Sequence, residues 1–136
     1  MSTPLLAAEA DLALYGLTAP VLAGFTSEAK TAQLRAASGR VWSYIANRYP
    51  NGLASPGETI VQAVCALASA ELLQVRGWSP ASEDDRTIMA RAEATLTWLR
   101  DVGRGHASIP DATPAPEVQH RVSSGADVLS ADLRGW

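Results

Sequence analysis

SEAKTAQLRAASGRVWSYIANRY, residues 27–49, runs directly into Pro50, and its reading decides the fold class. Leu34, Ser38, Val41, Trp42, Ile45 and Tyr49 share one side of a 3.6-residue helix, while Glu28, Lys30, Gln33, Arg40, Asn47 and Arg48 fall largely elsewhere. The spacing predicts a long amphipathic helix. Thr26 is its N-cap, Glu28 puts negative charge at the positive end of the helix dipole, and Arg48 puts positive charge at the other end. Pro50, Asn51 and Gly52 stop it. Gly39, in the middle, costs about 1 kcal/mol relative to alanine. It marks either a close approach by another element or a tolerated weak position.

On the N-terminal side, residues 7–15 make a short helix with Leu12 and Leu14 available for burial and Gly16 as its stop. Residues 17–25 form a turn with room for one helical turn at 20–23. Leu17, Val21, Leu22 and Phe25 then seal one end of the core.

On the C-terminal side, Ser55, Pro56 and Glu58 match a capping box with proline at the first helical position. The helix they start, residues 56–76, carries Ile60, Val61, Val64, Leu67, Ala68, Leu72 and Val75 and is the most buried of the chain. Cys65 lies within it and reads as an inert core thiol, because a reactive one needs an accessible, electropositive setting. A further start signal is WSPASEDD, where Ser79 or Ser82 caps and Glu83, Asp84 and Asp85 load the first turn. That acidic triplet could ligate a hard cation, but a solvated helix start is the preferred reading. The helix over residues 82–103 places Ile88, Ala92, Leu96, Leu99 and Val102 on one face, with Met89 and Trp98 beside it. Arg91, Arg100 and Arg104 lie mostly on the other side, and Gly103 and Gly105 end the helix.

The composition then changes. HASIPDATPAPEVQHRVSSGADVLSADLRGW has its prolines at 110, 114 and 116, shows no helical period, and offers an alternating piece at 118–122 that suits an edge strand. The chain therefore divides into a helical domain, residues 1–104, and an extended arm, residues 105–136. The fold class is all-α, a small four-helix core made of the short N-terminal helix and three longer ones. Taken alone, the arm buries too little apolar surface to offset the entropy of ordering, so it needs a partner. Val118, Val122, Leu129, Asp132, Leu133, Arg134 and Trp136 are its candidate partner-binding residues, with Trp136 as a terminal aromatic anchor.

A chain of 136 residues suits one domain, and its 47% apolar content with a single phenylalanine points to helices packed at close distance. No apolar stretch approaches the roughly 20 residues of a membrane span, and MSTPLLAAEADL lacks a basic leader, so a soluble, non-secreted protein is expected. The formal charge is −3, and Lys30 is the only lysine beside the arginines, which argues against a dedicated DNA-coating protein. One cysteine permits no intrachain disulfide. Phosphate loops, dinucleotide fingerprints, zinc spacings and nucleophile elbows are absent from the sequence. His106 and His120 lie in the arm, far from Cys65. No catalytic, cofactor-binding or metal-binding residue is assigned, and no enzymatic activity is expected.

A short helix containing ADL and a glycine, a long helix ending in YIANRYP, an alanine-rich helix after a proline loop, and TLTWLRDVGRGHASI succeed one another in this order. With the ending ADLRGW, the chain resembles the Mu-like phage family of small head-to-tail connector proteins over nearly its whole length. The resemblance implies a structural virion protein of the neck. Such an adaptor, or head-completion, subunit forms a dodecameric ring under the portal, supports the tail or a stopper protein, and lets DNA pass without specific binding. The alternative from another class is a small helical nucleic-acid-binding or regulatory module, which would show a basic stripe and steep salt dependence.

Overall fold

The computed structural model describes residues 5–116. Over them the chain forms α1 (Glu9–Tyr15), α2 (Ala19–Leu22), α3 (Ser27–Ile45), β1 (Leu53–Ser55), α4 (Gly57–Arg76), α5 (Glu83–Gly103) and β2 (Thr113–Pro114). The expected all-α core is present, with α2 as a single turn between the short first helix and the three long ones.

The fold is built around α4, against which α1, α3 and α5 all pack. Its sequence is apolar round most of the circumference, and every residue from 63 to 70 is buried. Leu67 is 2% exposed and Val64 fully buried, and removing a side chain of this size from water stabilises by about 1.5–3 kcal/mol. By length and composition α4 could also cross a membrane, but 61% of that window is buried inside the fold, so its apolarity is spent on the core. Facing it, α3 buries Leu34, Ser38, Val41 and Ile45 of the predicted stripe and Ala37 besides, while Trp42 and Tyr49 are only partly buried against the core. Ser38 is used rather than merely tolerated: its Oγ accepts the Leu6 amide at 3.0 Å and ties the N-terminal segment to the core.

Two glycines set how closely the helices approach. A Cβ on Gly16 would collide with Ser69 Oγ of α4, and one on Gly103 would stand 2.6 Å from the Tyr44 carbonyl oxygen of α3. At Gly39, by contrast, a Cβ would meet nothing within 4 Å, so this glycine is a tolerated weak position.

Several local expectations are corrected. Leu14 is 72% exposed although Leu12 is fully buried, because residues two apart on a helix point to opposite sides. Val75 is 69% exposed, since the covered part of α4 ends at Leu73. The regular part of α3 stops at Ile45, and the residues up to Tyr49 form a tightened turn. Asn47 Nδ2 there donates to the Gly103 carbonyl at 2.9 Å, and the residue before a proline disfavours helical backbone.

The largest departure concerns residues 105–116, which lie against the helical core. Ile109 is 5% exposed and belongs to the main apolar cluster. β2 pairs antiparallel with β1, Leu53 opposite Pro114 and Ser55 opposite Thr113, and the Ala115 amide donates to the Gly52 carbonyl at 3.0 Å. Ser55 is thereby placed in a strand, not at a capping box. The start of α4 is closed instead by Asp111, whose Oδ2 accepts the Thr59 amide at 3.0 Å. Gly57, at φ 76°, lets the two segments meet, for a Cβ there would collide with the Asp111 main chain.

Candidate assembly surfaces

The partner-binding candidates Val118, Val122, Leu129, Asp132, Leu133, Arg134 and Trp136 lie outside the described residues, as do the strand expected at 118–122 and His120. His106 is exposed just beyond α5. Cys65 is buried, and burial pushes its thiol up to about 12, which removes the thiolate from the neutral range. Among the described residues no three His, Cys, Asp or Glu side chains converge as a metal site.

The acidic start of α5 is a structural clasp. Ser82 accepts the Asp85 amide and caps the helix at 3.2 Å. The carboxylate of Asp85, a buried residue, accepts the Ser79 amide at 3.0 Å and both of its oxygens receive Arg76 Nη2, at 3.1 and 2.9 Å. The Ser79 amide, and with it the Arg76 guanidinium, holds this carboxyl below its ordinary value against the opposing effect of burial. Glu83 and Asp84 stay exposed. The clasp fixes the α4–α5 turn, from which Trp78 projects, 38% exposed.

A surface that the sequence reading did not single out runs between α4 and α5. Three adjoining depressions meet at Arg91. The first, about 250 Å³, is floored by Ala63 and Ala66 and walled by Thr59, Ala94 and Trp98. The second, about 460 Å³, extends past Ile88 to the Arg76–Asp85 clasp, and the third reaches the end of α1 at Leu14 and Tyr15. Arg91 is exposed and, like Arg35, Arg48, Arg86, Arg100 and Arg104, makes no ion pair among the described residues, whereas Lys30, Arg40 and Arg76 each have a carboxylate within 4 Å. The sequence carries the helical spacing of these residues but not their juxtaposition, which the packing of α4 beside α5 supplies. Thr59, Ala63 and Ala66 on one helix, and Arg91, Ala94 and Trp98 on the other, repeat at helical spacing and set small side chains opposite one another.

The described surface thus offers open grooves and projecting apolar side chains, a geometry suited to contact with other chains. No curated protein and no solved structure matches the sequence. A family model described as "Bacteriophage Mu, Gp36" matches residues 4–126, the whole helical core together with the segment that closes α4 and the stretch 117–126 after it. This match spans most of the chain, which accordingly belongs to the Bacteriophage Mu Gp36 family.

Proposed function

We propose that the chain is a structural connector at the head-to-tail junction of a Mu-like phage particle. It assembles, in this reading, as a homo-oligomeric ring, dodecameric by the resemblance of its sequence, beneath the portal protein. The ring offers the tail or a stopper protein its seat, and DNA passes through it without specific binding. The protein is made in the host and resides in the neck of the virion, and its work is assembly rather than chemistry, so no cofactor is required.

The observation that carries this reading is the family match over residues 4–126, joined to the connector-like pieces YIANRYP, TLTWLRDVGRGHASI and ADLRGW. The formal charge of −3 fits a subunit that does not hold the DNA it surrounds. The test is removal of residues 132–136 from the full chain. The melting temperature should stay within about 2 °C of the parent, since the apolar cluster of the described residues is built from positions between Leu6 and Ile109. Heads made with the truncated chain should fail to acquire tails. Normal yields of tailed particles would refute the assignment of the C-terminal segment as the attachment element. Duplex DNA should bind no more tightly than roughly 10⁻⁴ M at physiological salt, and salt-sensitive sub-micromolar binding would favour the nucleic-acid-binding module instead.

A further inference from the structure

The groove between α4 and α5 has chemistry that specifies what fills it. Its floor is made of small side chains, Ala63 and Ala66, both buried, so an incoming side chain can approach the helix backbones closely. Trp98 forms one wall, and Leu14, 72% exposed, stands beside the adjoining depression at the end of α1. Arg91, where the depressions meet, has no carboxylate within ion-pair distance among the described residues. The complementary ligand is a segment with apolar side chains at helical spacing and an acid among them. Open depressions strung along a helix pair suit such a segment better than a small molecule, which is enclosed on most of its surface.

The chain itself carries that segment. The arm as a whole shows no helical period, but within its last ten residues, DVLSADLRGW (127–136), Leu129, Leu133 and Trp136 stand at i, i+4 and i+7, with Asp132 between them. We propose that residues 127–136 of one copy occupy the α4–α5 groove of a neighbouring copy, with Leu129, Leu133 and Trp136 on the alanine floor and Asp132 facing Arg91. The described residues end at Pro116, close to Gly52, to which Ala115 is hydrogen-bonded. Residues 117–126 are left as a tether that spans up to about 30 Å at roughly 3.3 Å per residue. Passing the segment to the next subunit makes a heterologous contact, the kind that closes into a ring. In this respect the inference rests on the connector reading. The apolar side chains supply the affinity, and the Arg91 to Asp132 pair, at an exposed rim, sets register and partner choice.

The test uses the full chain with Ala94→Cys on the groove wall and Ser130→Cys in the segment. Cys65 is buried and stays silent. Mild oxidation of the purified double variant should give a ladder of disulfide-linked multimers that neither single variant gives. A bond within one chain, or monomers that keep their free thiols, would overturn the proposal. Charge exchange provides a second reading. Arg91→Asp and Asp132→Arg, each alone in the double-cysteine chain, should reduce the ladder at least fivefold, and together they should restore it. Unchanged ladders in both single exchanges would remove Arg91 from the contact. Whether the protein is present in phage particles is measured separately, so a connector with an empty groove and a groove contact outside a virion give different results.

Discussion

Asp111 accepts the amide proton of Thr59 at 3.0 Å and so closes the first turn of α4 from a position 52 residues further along the chain. The bond makes the central helix depend on the segment after α5, and it couples that dependence to pH. The Thr59 amide, more than any other neighbour, holds the Asp111 carboxyl below its ordinary value of 3.8. A carboxyl depressed in the folded state contributes stability above its unfolded value and loses it as pH falls through the folded one. Asp111→Ala should therefore lower the urea midpoint at pH 7, and the gap to the parent should narrow on acidification below about pH 4. A gap that stays constant down to pH 2 would mean that the charge on Asp111 does not matter.

Glycine substitutions separate contact from tolerance. Gly103→Ala pushes a methyl group against the Tyr44 carbonyl of α3 and should cost about 1–3 kcal/mol. Gly39→Ala meets open space on α3 and should stabilise by about 0.4–1 kcal/mol. Chemical denaturation of the two variants decides both signs at once.

The helices were legible because their signals are local. The 3.6-residue stripe of Leu34, Ser38, Val41 and Ile45 marked α3, and Ser82 with the acids behind it marked the start of α5. The closure of α4 was not legible. Ser55, Pro56 and Glu58 form a complete local capping signal, yet the paired strands β1 and β2 take Ser55 and bring Asp111 in its place, a long-range choice that propensity does not encode. Asp85 illustrates the same limit. Nothing in EDD distinguishes the carboxylate that turns inward to Arg76 from the two that stay in water. Arg91 reads in sequence as part of a solvated face, and only the packing of α4 beside α5 turns that face into a groove.

The core assignment predicts unequal responses at two leucines. Leu67→Ala, at a site 2% exposed, should cost about 2–5 kcal/mol. Leu14→Ser, at a site 72% exposed, should change stability by no more than about 0.5 kcal/mol. If Leu14→Ser is selectively harmful to particle assembly, its exposed side chain serves a partner.

Cys65 should be silent in the native protein. With its thiol pushed up to about 12 by burial, it should resist an aromatic disulfide reagent at pH 8 and react stoichiometrically once the chain is unfolded in urea. Rapid labelling of the folded protein would show that α4 opens far more readily than a core helix should.

If, as we propose, this member of the Bacteriophage Mu Gp36 family is a ring-forming connector, its position in the particle is decisive. Cryo-electron microscopy of tailed particles carrying the full chain should show α1 to α5 repeated around the axis at the junction of head and tail, in contact with the portal. Particles complete at that junction yet lacking this chain, or holding it only elsewhere, would contradict the account.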